Sequence, residues 1–180
     1  MQNKFETYAP AEDTFFLAEH VKNERGLAAL EIGTGSGYLA RILEEGFDIV
    51  VATDIDFESL RSQTQRPQNT ICCDGAAALG AKFDLVVCNL PYLPSDGIVD
   101  RTVDGGPEGL VVPRRIIESA SRCTKDGGRI LYLTSSLANY QKLISYIESL
   151  GFLPTIRAKK KLFFEELILV EATKSQTPGR

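Results

Sequence analysis

The residues best suited to chemistry come directly after an apolar run, residues 83–88, which has the composition of a buried strand. They are Asn89, Leu90, Pro91 and Tyr92. The Asn89 side-chain oxygen and the Leu90 carbonyl can accept hydrogen bonds from the two N–H groups of one planar amide or amine. Tyr92 offers a flat surface against which that planar group can pack. Methyl transfer to such a nitrogen needs an oriented lone pair rather than a strong base. The turn therefore predicts an N-methylation site, although a capped strand end explains it equally well when it is taken alone.

A glycine-rich stretch, EIGTGSG at residues 31–37, indicates that a ligand binds earlier in the chain. Tyr38 stands where a dinucleotide-binding fold needs its third small residue. Asp54 ends the next apolar run, where a carboxylate can accept hydrogen bonds from both hydroxyls of a ribose. These features favour a nucleoside cofactor that lacks a pyrophosphate. Asp56 competes for the ribose, but it is better explained as the N-cap of a helix.

Strand-like and helical segments alternate along the chain, which predicts a parallel sheet with helices on both faces and a final antiparallel hairpin. Helices are predicted over residues 11–22, 36–45, 57–64, 113–123 and 137–150, and strands over residues 28–33, 48–53, 69–73, 83–88 and 127–135, with two more runs within 155–173. The connection 93–112 is predicted to be irregular and either functional or disordered. We expect one domain over residues 1–173 and a disordered tail over residues 174–180.

The composition excludes several classes of function. With a net charge of −4, the surface as a whole does not attract nucleic acid. The four cysteines show no CxxC spacing, and His20 is the only histidine, so we predict reduced thiols, a cytoplasmic protein and no metal site. No apolar stretch approaches the ~20 residues of a membrane span.

The glycine stretch, Asp54 and the alternating elements resemble the Rossmann-like class I methyltransferases that use S-adenosylmethionine. The stretch YAPAEDTF, residues 8–15, is similar to the opening of the HemK-related protein glutamine methyltransferases, especially their short archaeal and eukaryotic branch. The turn at residues 89–92 is similar to the (Asp/Asn)-Pro-Pro-Tyr motif of methyltransferases that act on planar nitrogens, with Leu90 in place of the first proline. The resemblance implies a mostly parallel seven-stranded sheet with a C-terminal antiparallel hairpin.

The resemblance also implies roles for individual residues. Catalysis is assigned to Asn89, Leu90, Pro91 and Tyr92. Cofactor binding is assigned to Glu12, Asp13, Thr14, Glu31, Gly33, Thr34, Gly35, Gly37, Asp54, Ile55, Asp74, Gly75 and Asn89. Asp74 is expected near the adenine amino group, and a turn aspartate before Gly75 is an equally good interpretation. The stretch 103–109, which contains the glycine segment 105–109, is expected to help form the substrate wall, and a flexible surface loop is the alternative interpretation.

The substrate implied by the resemblance is the glutamine of the Gly-Gly-Gln loop in a class I release factor. A small zinc-binding activator subunit is expected along the exposed edge at residues 69–73, where the Ile71 N–H could serve as an edge donor if it points outward. The alternative is a methyltransferase for exocyclic amino groups of nucleic acid, which the basic run from Arg157 to Lys161 keeps open; that run is otherwise interpreted as a solvated hairpin tip. A non-catalytic module that only binds S-adenosylmethionine is ranked last, because Asn89, Pro91 and Tyr92 are present.

Overall fold

The computed structural model describes residues 10–176, and these residues form a seven-stranded sheet with helices on both faces. The strands are β1 (Gly26–Ile32), β2 (Phe47–Asp54), β3 (Asn69–Cys72), β4 (Phe83–Asn89), β5 (Leu93–Pro94), β6 (Asp104–Gly106), β7 (Thr124–Ser135), β8 (Phe152–Lys161) and β9 (Glu166–Lys174). The helices are α1 (Glu12–Val21), α2 (Tyr38–Leu43), α3 (Phe57–Ser62), α4 (Val111–Cys123) and α5 (Tyr140–Ser149).

The strand order is β3-β2-β1-β4-β7-β9-β8. Neighbouring strands from β3 to β7 are parallel, whereas β9 runs antiparallel to both β7 and β8. The predicted fold class is thus confirmed, including the antiparallel C-terminal hairpin. Since β1 lies at the centre of the parallel strands and the chain winds outward on both sides of it, the carboxyl ends of β1, β2 and β4 meet at one edge, where open α/β sheets bind ligands.

Apolar side chains fill a core on each face of the sheet. One core lies under α4 and α5, with Ile117 and Ile147 fully buried against the strands. The other lies under α1 and α2, where Leu17 and Leu43 are buried. Successive strand residues supply opposite faces, so Val86 belongs to the first core and Leu85 and Val87 to the second. None of the helices within residues 10–176 is long and apolar enough to cross a membrane.

The structure differs from the sequence-based expectations in two connections. Residues 93–112 are not simply irregular: they contain β5, β6 and a 3-10 turn at Pro107–Gly109, and Leu93 N donates to Val103 O at 2.8 Å. The basic run does not form the tip of the final hairpin, because Arg157 and the lysines after it belong to β8. The tip is the turn 162–165, in which Phe163 and Phe164 are exposed and pack edge to face.

Strand β9 continues to Lys174, whereas the sequence places Lys174 in a disordered tail. Residues 177–180 of that tail lie outside the described part of the chain. Tyr8 and Ala9, which open the stretch YAPAEDTF, also lie outside it. The assignment of residues 1–173 to a single domain therefore stays a prediction.

Candidate active site

The loop between β1 and α2 leaves open space above its first glycine. Gly33 has a φ of 78°, and a Cβ placed on it would meet nothing within 4 Å. The N–H groups of Gly33 and Thr34 both donate to Thr53 O at 2.9 Å, which fastens the start of the loop to the end of β2. The backbone is therefore held in a left-handed conformation that suits glycine, beside a space that a ligand can enter.

Glu31 stabilises this loop through hydrogen bonds. Its carboxylate is buried, and Oε2 accepts hydrogen bonds from Thr34 Oγ1 at 2.7 Å and from Ala40 N at 2.8 Å. Burial raises the pKa of Glu31 to about 8, against the opposing effect of those two hydrogen bonds. The side chain thus joins the loop to the first turn of α2.

Asp54 ends β2 next to the same loop. Its Oδ2 accepts from Gly35 N at 2.7 Å and its Oδ1 accepts from Asp56 N at 2.9 Å. The Ile55 N–H also hydrogen-bonds to this carboxylate. Because a carboxylate has about four acceptor positions, Asp54 keeps acceptor capacity for a ligand hydroxyl. Burial raises the pKa of Asp54, and the backbone hydrogen bonds from Asp56 and Gly35 oppose that shift.

Asp56 has a different role, because its side chain accepts from the backbone N–H groups of Glu58 and Ser59 at the start of α3. The expectation that Asp56 is a helix N-cap is confirmed. Ile55, between the two aspartates, is 45% exposed, so it offers an apolar surface beside Asp54.

Asp74 and Gly75 lie just beyond the end of β3, and both contact α4. Asp74 forms an ion pair with Arg115, and a Cβ on Gly75 would lie 2.8 Å from Ser119 Oγ. The same Ser119 Oγ accepts a hydrogen bond from Ala76 N at 2.8 Å. The turn is thus anchored to α4, and the proximity of Asp74 to adenine stays a prediction.

The turn after β4 is anchored in the core by Leu90, which stands where the related motif has its first proline. Leu90 is only 2% exposed and belongs to the core under α4 and α5, and its N–H donates to Leu133 O at 3.3 Å. Pro91 is buried as well. Packing of the Leu90 side chain therefore restrains the turn at the position where the motif's first proline would restrain it through its ring.

Asn89 presents an acceptor that the protein leaves unused. Its Oδ1 is buried and accepts no hydrogen bond from the residues that the structure describes, whereas its Nδ2 donates to Asp13 Oδ2 at 3.1 Å. A buried acceptor without a partner costs about 1–3 kcal/mol, and such atoms are often kept for a function. Asn89 Oδ1 thus keeps acceptor capacity that no described residue uses.

Helix α1 brings its first turn to this asparagine. Asp13 Oδ1 accepts from Thr14 N at 2.6 Å and from Thr14 Oγ1 at 3.3 Å, and Thr14 is buried. Glu12, by contrast, has a side chain that is 70% exposed, 4.0 Å from Lys160 Nζ. Of the three residues that were assigned to the cofactor in this helix, Asp13 is the one that contacts Asn89.

Tyr92, the last residue of the turn 89–92, lies close to Glu165 of the hairpin tip. Burial raises the pKa of the Tyr92 hydroxyl, and the charges of Glu165 and Asp13 and hydrogen bonding to Glu165 raise it further. Leu162 and Tyr92 pack against the same core. The sequence reasoning missed Glu165, because nothing in the sequence indicates that the last hairpin returns to the fourth strand.

The glycine segment 105–109 packs against the backbone of the turn 89–92. A Cβ on Gly105 would lie 2.8 Å from Pro91 O, and a Cβ on Gly109 would lie 2.2 Å from Tyr92 O. The side chain of Glu108 in this segment pairs with Lys142 of α5 at 2.8 Å. The segment therefore supports the carbonyls of the turn, and its role in a substrate wall stays a prediction.

We predict that Gly109→Ala destabilises the protein and lowers turnover. The residue has a φ of 67°, and a methyl group would displace the Tyr92 carbonyl. Backbone strain and overpacking together should cost about 2–4 kcal/mol, which thermal unfolding would report as a lower melting temperature. Gly97→Ala is the matched control, because nothing lies within 4 Å of a Cβ there. Equal melting temperatures for the two variants would contradict this account.

Comparison with known proteins assigns the chain to a family. The model of the methyltransferase small domain matches residues 12–163, which span the glycine loop, Asp54 and the turn 89–92. The chain belongs to the methyltransferase small domain family. The expected enzyme class is confirmed, and membership implies a methyl donor, S-adenosylmethionine.

Individual relatives point in the same direction. The chain is 29% identical to a protein of Methanocaldococcus jannaschii to which protein N5-glutamine methyltransferase activity is attributed, over 93% of this chain and 91% of that one. It is 28% identical to a release factor glutamine methyltransferase of Streptococcus pneumoniae, over 67% of this chain and 51% of the relative. The fold is also similar to that of a chain in the E. cuniculi Mtq2–Trm112 complex, which is responsible for methylation of the termination factor eRF1. The TM-score is 0.80 and the sequence identity is 25%, over 93% of this chain and 98% of that chain.

The residues present fit S-adenosylmethionine. The open space at Gly33 accommodates close approach of a ligand to the backbone, and Asp54 retains acceptor capacity for ribose hydroxyls. The bound cofactor would supply an electrophilic methyl group on a sulfonium. Within residues 10–176 there is no group of three or more histidine, cysteine or carboxylate side chains that could hold a metal ion.

Proposed function

We propose that this chain methylates the side-chain amide nitrogen of a glutamine in a class I release factor, within its Gly-Gly-Gln loop. The observation that carries the proposal is the buried Asn89 Oδ1, which has no partner among the described residues and belongs to the residue directly before Leu90. The activity attributed to the Methanocaldococcus jannaschii relative and the names of the Streptococcus pneumoniae and E. cuniculi proteins support this choice of acceptor.

The reaction forms one carbon–nitrogen bond and breaks one carbon–sulfur bond. The nitrogen lone pair attacks the methyl carbon, and the sulfur keeps the electron pair of the bond that breaks. The acceptor nitrogen then loses one proton to solvent. Because the amide lone pair is delocalised, the rate depends on holding the nitrogen with that lone pair aimed at the methyl group.

Each residue of the catalytic turn has a part in this orientation. Asn89 Oδ1 accepts from one N–H of the glutamine amide, and the Leu90 carbonyl accepts from the other. Tyr92 provides a flat wall for the planar amide group. Pro91 and the buried Leu90 side chain keep the two acceptors in place before the substrate arrives.

The decisive experiment is incubation of the purified chain with release factor and isotopically labelled S-adenosylmethionine, followed by mass spectrometry of the peptides. We expect the label on the glutamine of the Gly-Gly-Gln loop and none on a release factor in which glutamate replaces that glutamine. Incubations with ribosomal RNA, transfer RNA and duplex DNA test the alternative substrate class. Label that appears in nucleic acid alone would refute the proposal.

The ion pairs of β8 weigh against a nucleic-acid substrate. Arg157 pairs with Glu24 at 2.7 Å and with Glu171 at 2.8 Å, and Lys159 pairs with Glu166 at 2.9 Å. Cations that are neutralised within the protein contribute little to a phosphate-binding surface. The basic run from Arg157 to Lys161 was the main support for a nucleic-acid substrate, and these ion pairs weaken it.

The proposal includes a small activator subunit on the open edge of the sheet. Strand β3 lies at this edge and carries neither charge nor proline, whereas the opposite edge strand, β8, carries Pro154 and several lysines. Unguarded edges are suited to strand addition. The E. cuniculi relative forms a complex with Trm112, which supports a partner of this kind.

The hydrogen-bond pattern identifies the donors that this edge can offer. Cys73 N donates to Asp54 O at 2.9 Å, and Asp54 is the register partner of Cys72. Because every second residue of a parallel strand bonds to the same neighbour, the Ile71 N–H also faces β2. The condition for Ile71 to be an edge donor, an outward N–H, is therefore not met, and the outward N–H groups are those of Thr70 and Cys72.

We predict that Thr70→Pro weakens complex formation with the activator, because it deletes an outward donor without touching the β2–β3 ladder. Thr70→Ala is the matched control, since it removes the same hydroxyl and keeps the N–H. Co-expression followed by size-exclusion chromatography with light scattering would show less heterodimer for the proline variant only. If both variants pair like the wild type, β3 is not the pairing edge.

A further inference from the structure

The side-chain amide of Asn89 has two ends that differ in chemistry and can exchange by a half-turn. Only the oxygen end can accept from a substrate N–H, and the nitrogen end would oppose it donor to donor. The proposed reaction therefore requires one of two orientations, and the Asn89 side chain cannot select it alone.

Asp13 makes that selection. A carboxylate accepts hydrogen bonds and cannot donate them, so the end of Asn89 that faces Asp13 Oδ2 at 3.1 Å must be the nitrogen. A half-turn would bring Asn89 Oδ1 against the carboxylate, where two acceptors repel each other. The contact thus leaves Oδ1 on the other side.

The position of Asp13 is itself well defined. Its other oxygen, Oδ1, accepts from the backbone and the hydroxyl of Thr14, which is buried. Helix α1 is held on the sheet by Phe16 and Leu17, which are buried in the core beneath it. The carboxylate therefore contacts the catalytic turn from a rigid element 76 residues away in the sequence.

We propose that Asp13 is a positioning residue, which fixes the Asn89 amide with Oδ1 toward the substrate and polarises that oxygen. The second effect arises because a hydrogen bond to a carboxylate shifts electron density within the amide toward Oδ1 and strengthens it as an acceptor. This inference rests on the proposed function in one respect, namely that the acceptor group of the substrate carries N–H. It differs from the assignment of Asp13 to the cofactor.

The first measurement is kinetic and uses an exchange of the two residue types. Asp13→Asn should lower kcat roughly tenfold, because either end of the new amide can face Asn89 and the charge is lost. Asn89→Asp should also lower kcat, because it places two carboxylates in contact. The double variant Asp13→Asn with Asn89→Asp restores one donor and one acceptor across the contact, so its kcat should exceed that of Asn89→Asp alone by about tenfold.

Two controls separate this role from others. The exposed Glu19 on the same helix supplies the matched variant Glu19→Gln, for which kcat should not change. Calorimetry with S-adenosylhomocysteine should give the wild-type affinity for Asp13→Asn. An unchanged kcat in Asp13→Asn would overturn the proposal, as would a loss confined to cofactor affinity or a double variant no faster than Asn89→Asp.

A second measurement does not depend on any substrate. In nuclear magnetic resonance spectra of the free protein, the Asn89 side-chain amide protons, identified by their absence from Asn89→Asp, should exchange with solvent at least several-fold faster in Asp13→Asn than in the wild type. Equal exchange rates would refute the contact. If the wild type methylates no glutamine, the proposed function fails, and this exchange measurement still decides the role of Asp13.

Discussion

Asn89→Ala is expected to lower kcat by roughly 100-fold or more, because it removes an acceptor that orients the nucleophile. Affinity for S-adenosylhomocysteine should stay nearly unchanged, since the glycine loop and Asp54 remain intact. Folding stability should fall only slightly, because the one side-chain hydrogen bond described for Asn89, from Nδ2 to Asp13 Oδ2, is lost. Asn89 Oδ1 has no partner among the described residues, so its removal breaks no hydrogen bond at that atom.

The measurement is single-turnover methylation of the release factor, with calorimetry to confirm that the cofactor still binds. Gln141→Ala is a suitable control, because it deletes an exposed amide on α5 and should retain the wild-type rate. Methylation by Asn89→Ala at the wild-type rate would show that the mechanism derived from this turn is wrong.

Asp54→Ala is expected to weaken cofactor binding by about 2–4 kcal/mol, because it deletes two charge-assisted hydrogen bonds to the ribose. It also removes the acceptor of the Gly35 and Asp56 N–H groups, so part of the loss would come from a less ordered loop. Asp54→Asn preserves the size of the side chain but places an NH2 donor against one of these two N–H groups, so its loss of cofactor affinity should also include a contribution from the loop. Calorimetry with S-adenosylhomocysteine measures both variants, and NAD should not bind to the wild type.

Asp56→Ala provides the contrast for this prediction. It removes the N-cap of α3, which should cost about 1 kcal/mol of folding stability and leave cofactor affinity close to that of the wild type. If Asp54→Ala binds the cofactor normally and Asp56→Ala does not, the ribose contact belongs to Asp56.

The fold class follows from patterns that are local in the sequence. Apolar periodicity located the helices and the main strands to within a few residues, and the alternation of these elements predicted the parallel sheet and its final hairpin. The N-cap role of Asp56 was likewise predictable, because it depends on the residues that immediately follow. These features depend on neighbours a few positions away, and the sequence displays such neighbours directly.

Other features were decided only by the tertiary structure. The contact of Asp13 with Asn89 and the proximity of Glu165 to Tyr92 join segments that are far apart in the chain. The contact of Gly109 with the Tyr92 carbonyl depends on how the loop after β4 folds back, which its composition alone did not predict.

The edge of the sheet illustrates the same limit. The sequence determined that residues 69–73 form an uncharged strand, but the direction of the Ile71 N–H depends on the register between β2 and β3. Similarly, the sequence contains the basic run, but only the strand order brings Arg157 to Glu24 and Glu171. The sequence alone therefore determined the helices and strands and the motifs that predict a site. Strand order, register and side-chain pairing are set by the packing of the whole chain, and only the tertiary structure decided which polar groups are paired within the protein.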